Sequence, residues 1–577
     1  MKEVIVNLLL KELNKRKLNK RDIEKLIETP PSPELGDYSF PCFVLASKLK
    51  KNPNEIAEEL ARKIKLTKEI SQIKAVGPYL NFFINKKILA EFVVREILKK
   101  EDKFGSKKEN KRIVIDYSSP NIGKPMHVGH IRSTILGDSL KKIFQFLGNK
   151  VIGINYLGDI GLHIGKLIVA YQLWGDEKKL KKEPEKELLN LYVKFCKKEK
   201  LSAEQELEKS SDQEEKEESL DNELTRKAKE ALKKLELRDK EIVAIWKKIE
   251  SYSLRGFLKT YKELGVEFEE IIGQSKFSEI GKQIVKEALK KGVAFKGEEG
   301  EIIAKLKPLP NKIILRSDNT ALYSTQDLGA AVERYKKYKF DKMIYVVGSE
   351  QQLYLQQIFK ILEKLGYKWS KNLVHLPFGL LRLKEGKISS REGRVIFLQD
   401  VLEKAEQMAL KEVKKKNPKL KNKKEVARKV GLAALKYSIL SKEPIKNIEF
   451  SFSQAIDFEG NTGPYLQYSY ARASSILRKA DKKPGKFRAG DLKLQEINLI
   501  KRLSLFPEIV KKAGKQLNPS IISNYSFVLA QEFNEFYHSC QVIGSKEEAF
   551  RLSLVQAFRI VIKQALNLLG IEVLEEM

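Results

Sequence analysis

Two histidines and a lysine in one short segment have the residue types and the spacing to act on a phosphate chain. His127 and His130 are three residues apart, and Lys124 precedes them. Imidazoles at this spacing at the start of a helix can face one ligand and donate hydrogen bonds to charge that develops in a transition state. Lys124 adds a mobile cation, and Gly129 lets a nucleoside approach the backbone closely. The segment therefore predicts a site for the triphosphate of ATP.

The flanking residues predict the elements that position these side chains. Ile113–Ile115 is a short apolar run typical of a buried parallel strand. From Gly129, apolar residues recur at helical spacing until Gly148 ends the pattern, and a second strand is predicted at Val151–Tyr156. Such a unit places its loop at the carboxyl edge of a sheet and points a helix N-terminus at the ligand. A chance pair of histidines is the alternative, and these flanks disfavour it.

Residues 118–130 resemble the HIGH motif of class I aminoacyl-tRNA synthetases, in the long form of the arginyl family. Residues 34–42 and 76–82 resemble that family's additional N-terminal domain, and residues 458–468 and 569–571 resemble its anticodon-binding domain. The resemblance implies a multidomain α/β protein. A Rossmann-like parallel-sheet catalytic domain would lie between an N-terminal α+β domain and a C-terminal all-α anticodon-binding helical bundle.

We expect three domains. Residues 1–108 form the N-terminal domain, which by resemblance contacts the tRNA elbow. Residues 109–410 form the catalytic domain, with an insertion at about 170–310, and residues 411–577 form the anticodon-binding domain. Within the insertion, residues 199–223 carry eleven acidic and three basic residues and are predicted to be a solvated excursion or an exposed helix. After about residue 430 the sequence shows helical patterns and no strand pattern.

A glycine-bounded loop after the predicted strand Leu373–Leu381 resembles the KMSKS motif, a lid that surrounds the triphosphate. The resemblance implies that ATP is bound by Lys387, Ser389, Ser390 and Arg391, together with His127, Gly129 and His130. Ser390 stands where the motif has its second lysine. Lys124 or Arg391 would supply the missing charge, and the sequence leaves both open.

Selection of arginine requires carboxylates and amide oxygens in fixed geometry, because the guanidinium is planar, charged and rich in donors. Tyr323 and Asp327 match the arginyl family's Tyr-x-x-x-Asp, four residues apart on one helix face. By the same resemblance, the rest of the arginine site is Asp116, Ser119, Asn121, His130 and Gln351. Asp116 departs from the family's usual Glu and is one methylene shorter, and Tyr354 stands where a His is common.

Bulk composition fits a nucleic-acid partner without identifying it. The 577-residue chain has a net charge of +33 and a pI of about 9.6, which imply a polyanionic partner. Three widely separated cysteines exclude a disulfide framework and offer no zinc spacing, so no structural zinc is expected. No stretch approaches a membrane span, and we expect a cytoplasmic protein that is a monomer.

Contact with tRNA is predicted from two features. Residues 411–429 carry ten basic and two acidic residues, and on a synthetase this run could follow the RNA backbone. Specificity would come from loop bases held by aromatic and amide side chains. The candidates are Tyr465, Gln467, Tyr468 and Tyr470. Each of them could equally be a core residue.

The resemblance implies an arginine–tRNA ligase. Its partners would be L-arginine, ATP carrying Mg2+, and tRNA(Arg). Arginine would be activated to arginyl-adenylate and transferred to the 2′-hydroxyl of the terminal adenosine, with activation dependent on tRNA. His127, His130, Lys124 and Lys387 would stabilise the phosphates. Two alternatives remain: another class I synthetase, with the cysteinyl enzyme nearest, and a catalytically silent RNA-binding relative.

Overall fold

The computed structural model describes residues 2–13, 18–209, 223–383, 397–481 and 483–577. The chain divides into two compact units. The smaller unit comprises residues 1–104, 472–507 and 528–562, and the larger comprises residues 105–471, 508–527 and 563–577. Within the described ranges, no helix is both long enough and apolar enough to span a membrane.

The N-terminal part of the smaller unit is α+β, as the resemblance implies. Its strands are β1 (Tyr38–Pro41), β2 (Ile70–Val76) and β3 (Tyr79–Ile84), which form an antiparallel sheet in the order β1-β3-β2. Its helices are α1 (Lys2–Leu13), α2 (Lys20–Leu26), α3 (Phe43–Leu49), α4 (Pro53–Lys63) and α5 (Lys86–Lys100). Helix α5 begins at an asparagine cap, where the Asn85 side chain accepts from the N–H groups of Lys87 and Ile88.

A five-stranded parallel sheet organises the larger unit. Its strands are β4 (Arg112–Asp116), β5 (Lys150–Leu157), β6 (Glu270–Gly273), β10 (Lys342–Gly348) and β11 (Leu373–Phe378), in the order β11-β10-β4-β5-β6. The order reverses between β4 and β10, which is the topological switch point of a doubly wound sheet. Ligands bind in the crevice at such a point, so the loops after β4 and β10 define where to look.

Helices and a small second sheet surround these strands. The elements between β4 and β10 are α6 (Val128–Phe146), α7 (Leu162–Trp174), α8 (Glu177–Lys182), α9 (Pro184–Lys209), α10 (Glu223–Glu236), α11 (Lys240–Leu264), α12 (Ser278–Lys290), β7 (Ala294–Lys296), β8 (Ile302–Ala304), β9 (Lys312–Leu315) and α13 (Tyr323–Tyr338). The predicted insertion at 170–310 therefore contains β6, a strand of the main sheet that the sequence reading missed.

The remaining elements follow β10. They are α14 (Gln352–Lys364), β12 (Leu381–Leu383), α15 (Leu398–Lys416), α16 (Lys423–Leu440), β13 (Ile448–Phe450), α17 (Phe452–Ala455), α18 (Gly463–Lys479), α19 (Leu494–Gln516), α20 (Ser520–Ser539) and α21 (Glu548–Leu568). The expectation of no strand after residue 430 was wrong, because β13 pairs in parallel with β12. The predicted strand 373–381 is two strands, β11 and β12. The basic run 411–429 spans the end of α15 and the start of α16.

Candidate active site

The two histidines lie at the start of α6, where backbone N–H groups fix the orientation of both rings. The Nδ1 atom of His127 accepts from the N–H of Gly129 at 3.0 Å, and the Nδ1 atom of His130 accepts from the N–H of His127 at 3.2 Å. The ring centroids are 4.0 Å apart. Because each Nδ1 is an acceptor, each neutral ring carries its proton on Nε2. The arrangement leaves two Nε2–H donors for a ligand at the sheet's carboxyl edge.

Both imidazoles are neutral at physiological pH. Burial, aided by the charge of Lys124, lowers the pKa of His127 to about 4. Burial also lowers the pKa of His130 to about 3, with further contributions from His127 and Lys124. A neutral imidazole with a fixed tautomer donates one directed hydrogen bond, which suits stabilisation of developing phosphate charge without a proton transfer.

Gly129 keeps the His127 ring in place. A Cβ atom at this position would lie 2.7 Å from Cε1 and 2.9 Å from Nδ1 of His127. We expect Gly129→Ala to displace that ring and lower the rate of adenylate formation by about 10-fold or more, because a 1 Å misplacement of a catalytic group can cost ~100-fold. Alanine in this exposed first turn of α6 should not lower the thermal unfolding midpoint, since glycine disfavours helix. Unchanged kinetics of pyrophosphate exchange into ATP, which reports adenylate formation, would contradict the prediction.

The loop between β4 and α6 has a constrained backbone. Ser118 and Ser119 have φ of +72° and +50°, in the left-handed region that residues with a Cβ seldom adopt. Hydrogen bonds hold them there: the N–H of Ser118 donates to Ser133 Oγ at 3.0 Å, and the N–H of Ser119 donates to Asn155 Oδ1 at 3.1 Å. The strained turn directs the Ser119 hydroxyl back to Asp116, to which it donates at 2.8 Å.

Asn121 lies against the end of β5. The backbones of Asn121 and Gly158 form a parallel bridge, and a Cβ on Gly158 would lie 1.8 Å from Asn121 Oδ1. Glycine at 158 is therefore what leaves room for the Asn121 side chain. Asn121 also lines a cavity of about 390 Å³ together with Tyr323 and Lys124.

Asp116 is engaged within the protein. It is 4 % exposed at the end of β4, and its Oδ2 accepts from Arg334 Nη1 at 2.8 Å. Arg334, on α13, is 3 % exposed and lies over the ring of Tyr156, with Cζ 4.5 Å from the centroid. Sequence reasoning assigned Asp116 to the substrate and missed this internal guanidinium.

Asp327 is a half-buried carboxylate on the second turn of α13. Its Oδ2 accepts from the Tyr354 hydroxyl at 2.5 Å, so the tyrosine that replaces the family's usual histidine supplies a hydrogen bond here. Burial raises the pKa of Asp327 to about 6, with Asp116 also raising it and Tyr354 and Arg334 lowering it. Burial is the main cause of the raised pKa, and a bound guanidinium would offset it by stabilising the charged form.

The pKa of Asp327 predicts how arginine affinity depends on pH. Above about pH 6 the carboxylate is ionised and can pair with a guanidinium, whereas below it the added proton removes that attraction. We expect the Kd for arginine to be flat near pH 7–8 and to rise about 10-fold for each unit that pH falls below 6. Titration calorimetry at several pH values checks this, with about half a proton released on binding at pH 6 and release approaching about one proton at pH 5 and below. A Kd that does not change between pH 5 and 7 would contradict it.

The cavity beside the histidine loop is lined by the cations Lys124, Lys166 and Arg316. His163, whose pKa is lowered by burial to about 4, and Tyr323, which is 47 % exposed, also contribute to its wall. The Lys124 Nζ lies 4.6 Å from the Tyr192 ring centroid. This lining suits a ligand with phosphate groups and an aromatic or planar face.

The other predicted site residues are placed as follows. Gln351 is exposed in the turn between β10 and α14, at the same sheet edge, and among the described hydrogen bonds none joins it to Asp327. Lys387, Ser389, Ser390 and Arg391 lie outside the described residues. The described backbone that follows them is close to the histidine loop, because the N–H of Leu398 donates to the carbonyl of Met126 at 2.9 Å.

Sequence reasoning also missed Arg132, which links α6 to the backbone just before β12 and to the backbone just before β13. It is 1 % exposed, and its guanidinium donates to five backbone carbonyls, those of Gly379, Leu380, Glu443, Pro444 and Lys446. Burial lowers its pKa to about 10. Its position on the helix that follows the histidine motif was readable, whereas its carbonyl partners were not.

The predicted tRNA contacts differ in exposure. Gln467 is fully buried and its Nε2 donates to the Glu572 carbonyl at 2.7 Å, and Tyr470, 2 % exposed, donates to Glu575 at 2.9 Å. Tyr465 is half-buried, 5.7 Å from the Phe527 ring centroid. Tyr468 is 37 % exposed. A direct contact with RNA is thus most accessible to Tyr468.

Over the described ranges, no three His, Cys, Asp or Glu side chains are grouped so as to hold a metal ion.

The site and the fold agree with a class I aminoacyl-tRNA synthetase catalytic domain. They share with it a parallel sheet of this strand order, a pair of histidines at the switch point and a carboxylate cluster beside them. The family model for this domain, "tRNA synthetases class I (R), catalytic domain", matches residues 93–452.

Two further family models match the N-terminal and C-terminal regions, and the N-terminal one names arginine. The "Arginyl tRNA synthetase N terminal domain" matches residues 3–84, and the "DALR anticodon binding domain" matches residues 466–577. The chain belongs to the arginyl-tRNA synthetase family, and its activity is arginine–tRNA ligation. This outcome excludes the cysteinyl alternative.

Curated relatives and a solved structure agree over the full length. The chain is 42 % identical to the arginine–tRNA ligase of Halothermothrix orenii, over 100 % of this chain and 99 % of that protein. It is 41 % identical to the arginine–tRNA ligase of Clostridium perfringens, over 97 % of each. The arginyl-tRNA synthetase of Thermus thermophilus aligns with a TM-score of 0.80 at 25 % identity, covering 100 % of both chains.

Proposed function

We propose that the chain activates L-arginine with Mg-ATP and transfers it to the 2′-hydroxyl of the terminal adenosine of tRNA(Arg), with activation dependent on bound tRNA. In the first step a carboxylate oxygen of arginine attacks the α-phosphate. The bond from the α-phosphate to its bridging oxygen breaks, and pyrophosphate leaves. No side chain need act as nucleophile, so the chain contributes positioning and charge stabilisation.

The observation that carries this proposal is the pair of neutral histidines. Their Nδ1 atoms are occupied by backbone N–H groups, so their Nε2–H groups are the donors that would meet the transferring phosphate. Lys124 would contribute charge from the same loop. Lys387, Ser389, Ser390 and Arg391 would complete the ATP site, supported by the contact of Leu398 with Met126. Mg2+ would arrive with ATP as part of the substrate and neutralise phosphate charge.

Arginine would bind beside this pair, within the cluster around α13. Asp327 would pair with the guanidinium, and Tyr323 would form an aromatic wall. Asn121 and Ser119 would hold the amino and carboxylate ends, and His130 and Gln351 would complete the site, with Asp116 engaged by Arg334 in its wall. The raised pKa of Asp327 and its position one helical turn after Tyr323, which lines the cavity, support this assignment.

The tRNA would contact both the N-terminal and the C-terminal domain. The N-terminal domain would touch the tRNA elbow. In the anticodon-binding domain, Tyr468 and the half-buried Tyr465 would contact the tRNA, and the buried Gln467 and Tyr470 would hold their helix in place. We propose the domain boundaries 1–108, 109–410 and 411–577, a monomer, and a cytoplasmic site of action where tRNA is charged.

Exchange of labelled pyrophosphate into ATP tests the activation step. With arginine and Mg2+ present, we expect exchange to appear when tRNA is added and to be at background without it. Exchange at full rate without tRNA would overturn the dependence on tRNA. Tight tRNA binding with no exchange under any condition would favour the catalytically silent RNA-binding relative.

A further inference from the structure

The Asp116–Arg334 ion pair is built into the wall of the proposed arginine site. Both residues are less than 5 % exposed, and the contact from Nη1 to Oδ2 is 2.8 Å. The second oxygen of Asp116 accepts from Ser119 Oγ at 2.8 Å, and that hydroxyl in turn accepts from the N–H of Tyr156 at 3.2 Å. Both carboxylate oxygens of Asp116 are therefore used inside the protein.

Arg334 and Asp327 share one face of α13. They are seven residues apart, which is two helical turns, and helical side chains lean toward the N-terminus. The long Arg334 side chain thus extends from the later turn toward Asp327, and it meets Asp116 instead. The charges of Arg334 and Asp116 both act on Asp327, so the two carboxylates and the guanidinium form one electrostatic group.

A buried guanidinium next to a carboxylate that must bind a guanidinium is a competitor for it. If Arg334 had no other partner, it would pair with Asp327 and occupy the position of the substrate, because an unpaired buried charge is strongly disfavoured. Asp116 removes this competition by holding Arg334 along the end of β4. The shorter Asp at this position reaches Arg334 while both of its oxygens stay engaged.

We propose that Asp116 is a positioning residue that acts through Arg334 and so keeps Asp327 available to the substrate guanidinium. The inference rests on the proposed function, since it assigns roles within the arginine site. It replaces a direct contact between Asp116 and arginine by an internal ion pair that keeps Asp327 available.

A double-mutant cycle separates the two roles of Asp116. Arginine KM and kcat are measured in aminoacylation, at saturating ATP and tRNA, for the wild type, Asp116→Asn, Arg334→Met and the double variant. We expect each single substitution to raise arginine KM by at least ~10-fold and the double variant to return to within ~3-fold of the wild type, a coupling typical of contacting pairs. The single variants are expected to fail for opposite reasons. Asp116→Asn frees Arg334 to compete with arginine for Asp327, whereas Arg334→Met leaves the unpaired Asp116 carboxylate beside Asp327.

The double variant also decides the matter if the single variants do not fold. Replacing both partners of a buried ion pair is tolerated far better than breaking it. A direct contact of Asp116 with arginine would leave the double variant at least as impaired as Asp116→Asn, and this result would overturn the inference. So would wild-type arginine KM in both single variants.

A pH profile distinguishes positioning from general damage to the fold. The titratable and charged groups that face Asp327 are Tyr354, Tyr156, Tyr345, Tyr323, Arg334 and Asp116. The tyrosines stay protonated because burial raises the pKa of each above its ordinary value. The charge of Arg334 lowers the pKa of Asp327, so its removal should raise that pKa. In Arg334→Met we therefore expect arginine KM to fall as pH rises from 7 to 9, while the wild-type KM stays constant. A flat profile in this variant would contradict the proposal.

A matched control is available in the other unit. Arg551 and Glu496 form a buried ion pair with a 2.8 Å contact, and the double substitution Glu496→Gln with Arg551→Met removes it. We expect this control to leave arginine KM unchanged. Failure of the wild type to charge arginine would refute the proposed function itself, whereas normal charging with no coupling in the cycle would refute only the role of Asp116.

Discussion

Asp327→Asn is expected to abolish useful selection of arginine, raising arginine KM by roughly 30- to several-thousand-fold. Removing one partner of a buried hydrogen-bonded charge pair costs about 2–5 kcal/mol, and each 1.4 kcal/mol is a factor of 10. Asparagine keeps the shape of the side chain and an oxygen for the Tyr354 hydroxyl, so the lost charge is the main change. Aminoacylation with arginine over a wide concentration range measures the effect.

The stability of Asp327→Asn, unlike its affinity for arginine, should not fall. The pKa of Asp327 is raised in the folded protein, so ionisation of this group above its unfolded pKa disfavours the folded state. The neutral Asn should therefore leave the thermal unfolding midpoint at pH 7 unchanged or raise it. Asp239→Asn, at the N-cap of α11, is a matched control in which both arginine KM and the midpoint should be preserved. An Asp327→Asn protein with wild-type arginine KM would remove this residue from the site.

His130→Ala is expected to slow adenylate formation by about 30- to 1,000-fold, equivalent to ~2–4 kcal/mol of barrier. The substitution removes one Nε2–H donor aimed at developing phosphate charge, and it also removes the acceptor that fixes His127. We expect the loss to fall on kcat more than on the KM for ATP, because the donor acts chiefly in the transition state.

The control for this prediction is another half-buried histidine of the same sheet. His375, within β11, has its Nε2 at 3.0 Å from the Val347 carbonyl and lies away from the histidine loop. We expect His375→Ala to lower stability modestly and to leave the single-turnover rate of adenylate formation within ~3-fold of the wild type. A His130→Ala protein that forms adenylate at the wild-type rate would contradict the role given to the imidazole pair.

Strong periodicity made most of the fold predictable from the sequence. The run before the histidines is strand β4, and the helical spacing after Gly129 is helix α6, because each buries a continuous apolar face. Strand β6 escaped prediction, since Glu270–Gly273 is four residues long with no fully buried side chain. Strand β13 was missed for a similar reason. It is three residues long and depends on its partner β12, which is distant in sequence.

The site was predictable where it rests on local spacing and unpredictable where it rests on tertiary partners. The four-residue spacing of Tyr323 and Asp327 places both on α13, as expected. Nothing local distinguished Arg334 from the other basic residues of a strongly basic chain, so its pairing with Asp116 was invisible. The tautomer of His127 likewise depends on a backbone hydrogen bond that only the folded loop supplies.

Charging of unfractionated tRNA with each labelled amino acid in turn tests the central claim most directly. The proposed site predicts that arginine alone is esterified, and that citrulline, which has the same shape but a neutral side chain, does not inhibit at concentrations where arginine is saturating. Charging with a different amino acid, or equal inhibition by citrulline, would contradict the account of Asp327 as the carboxylate that selects the substrate.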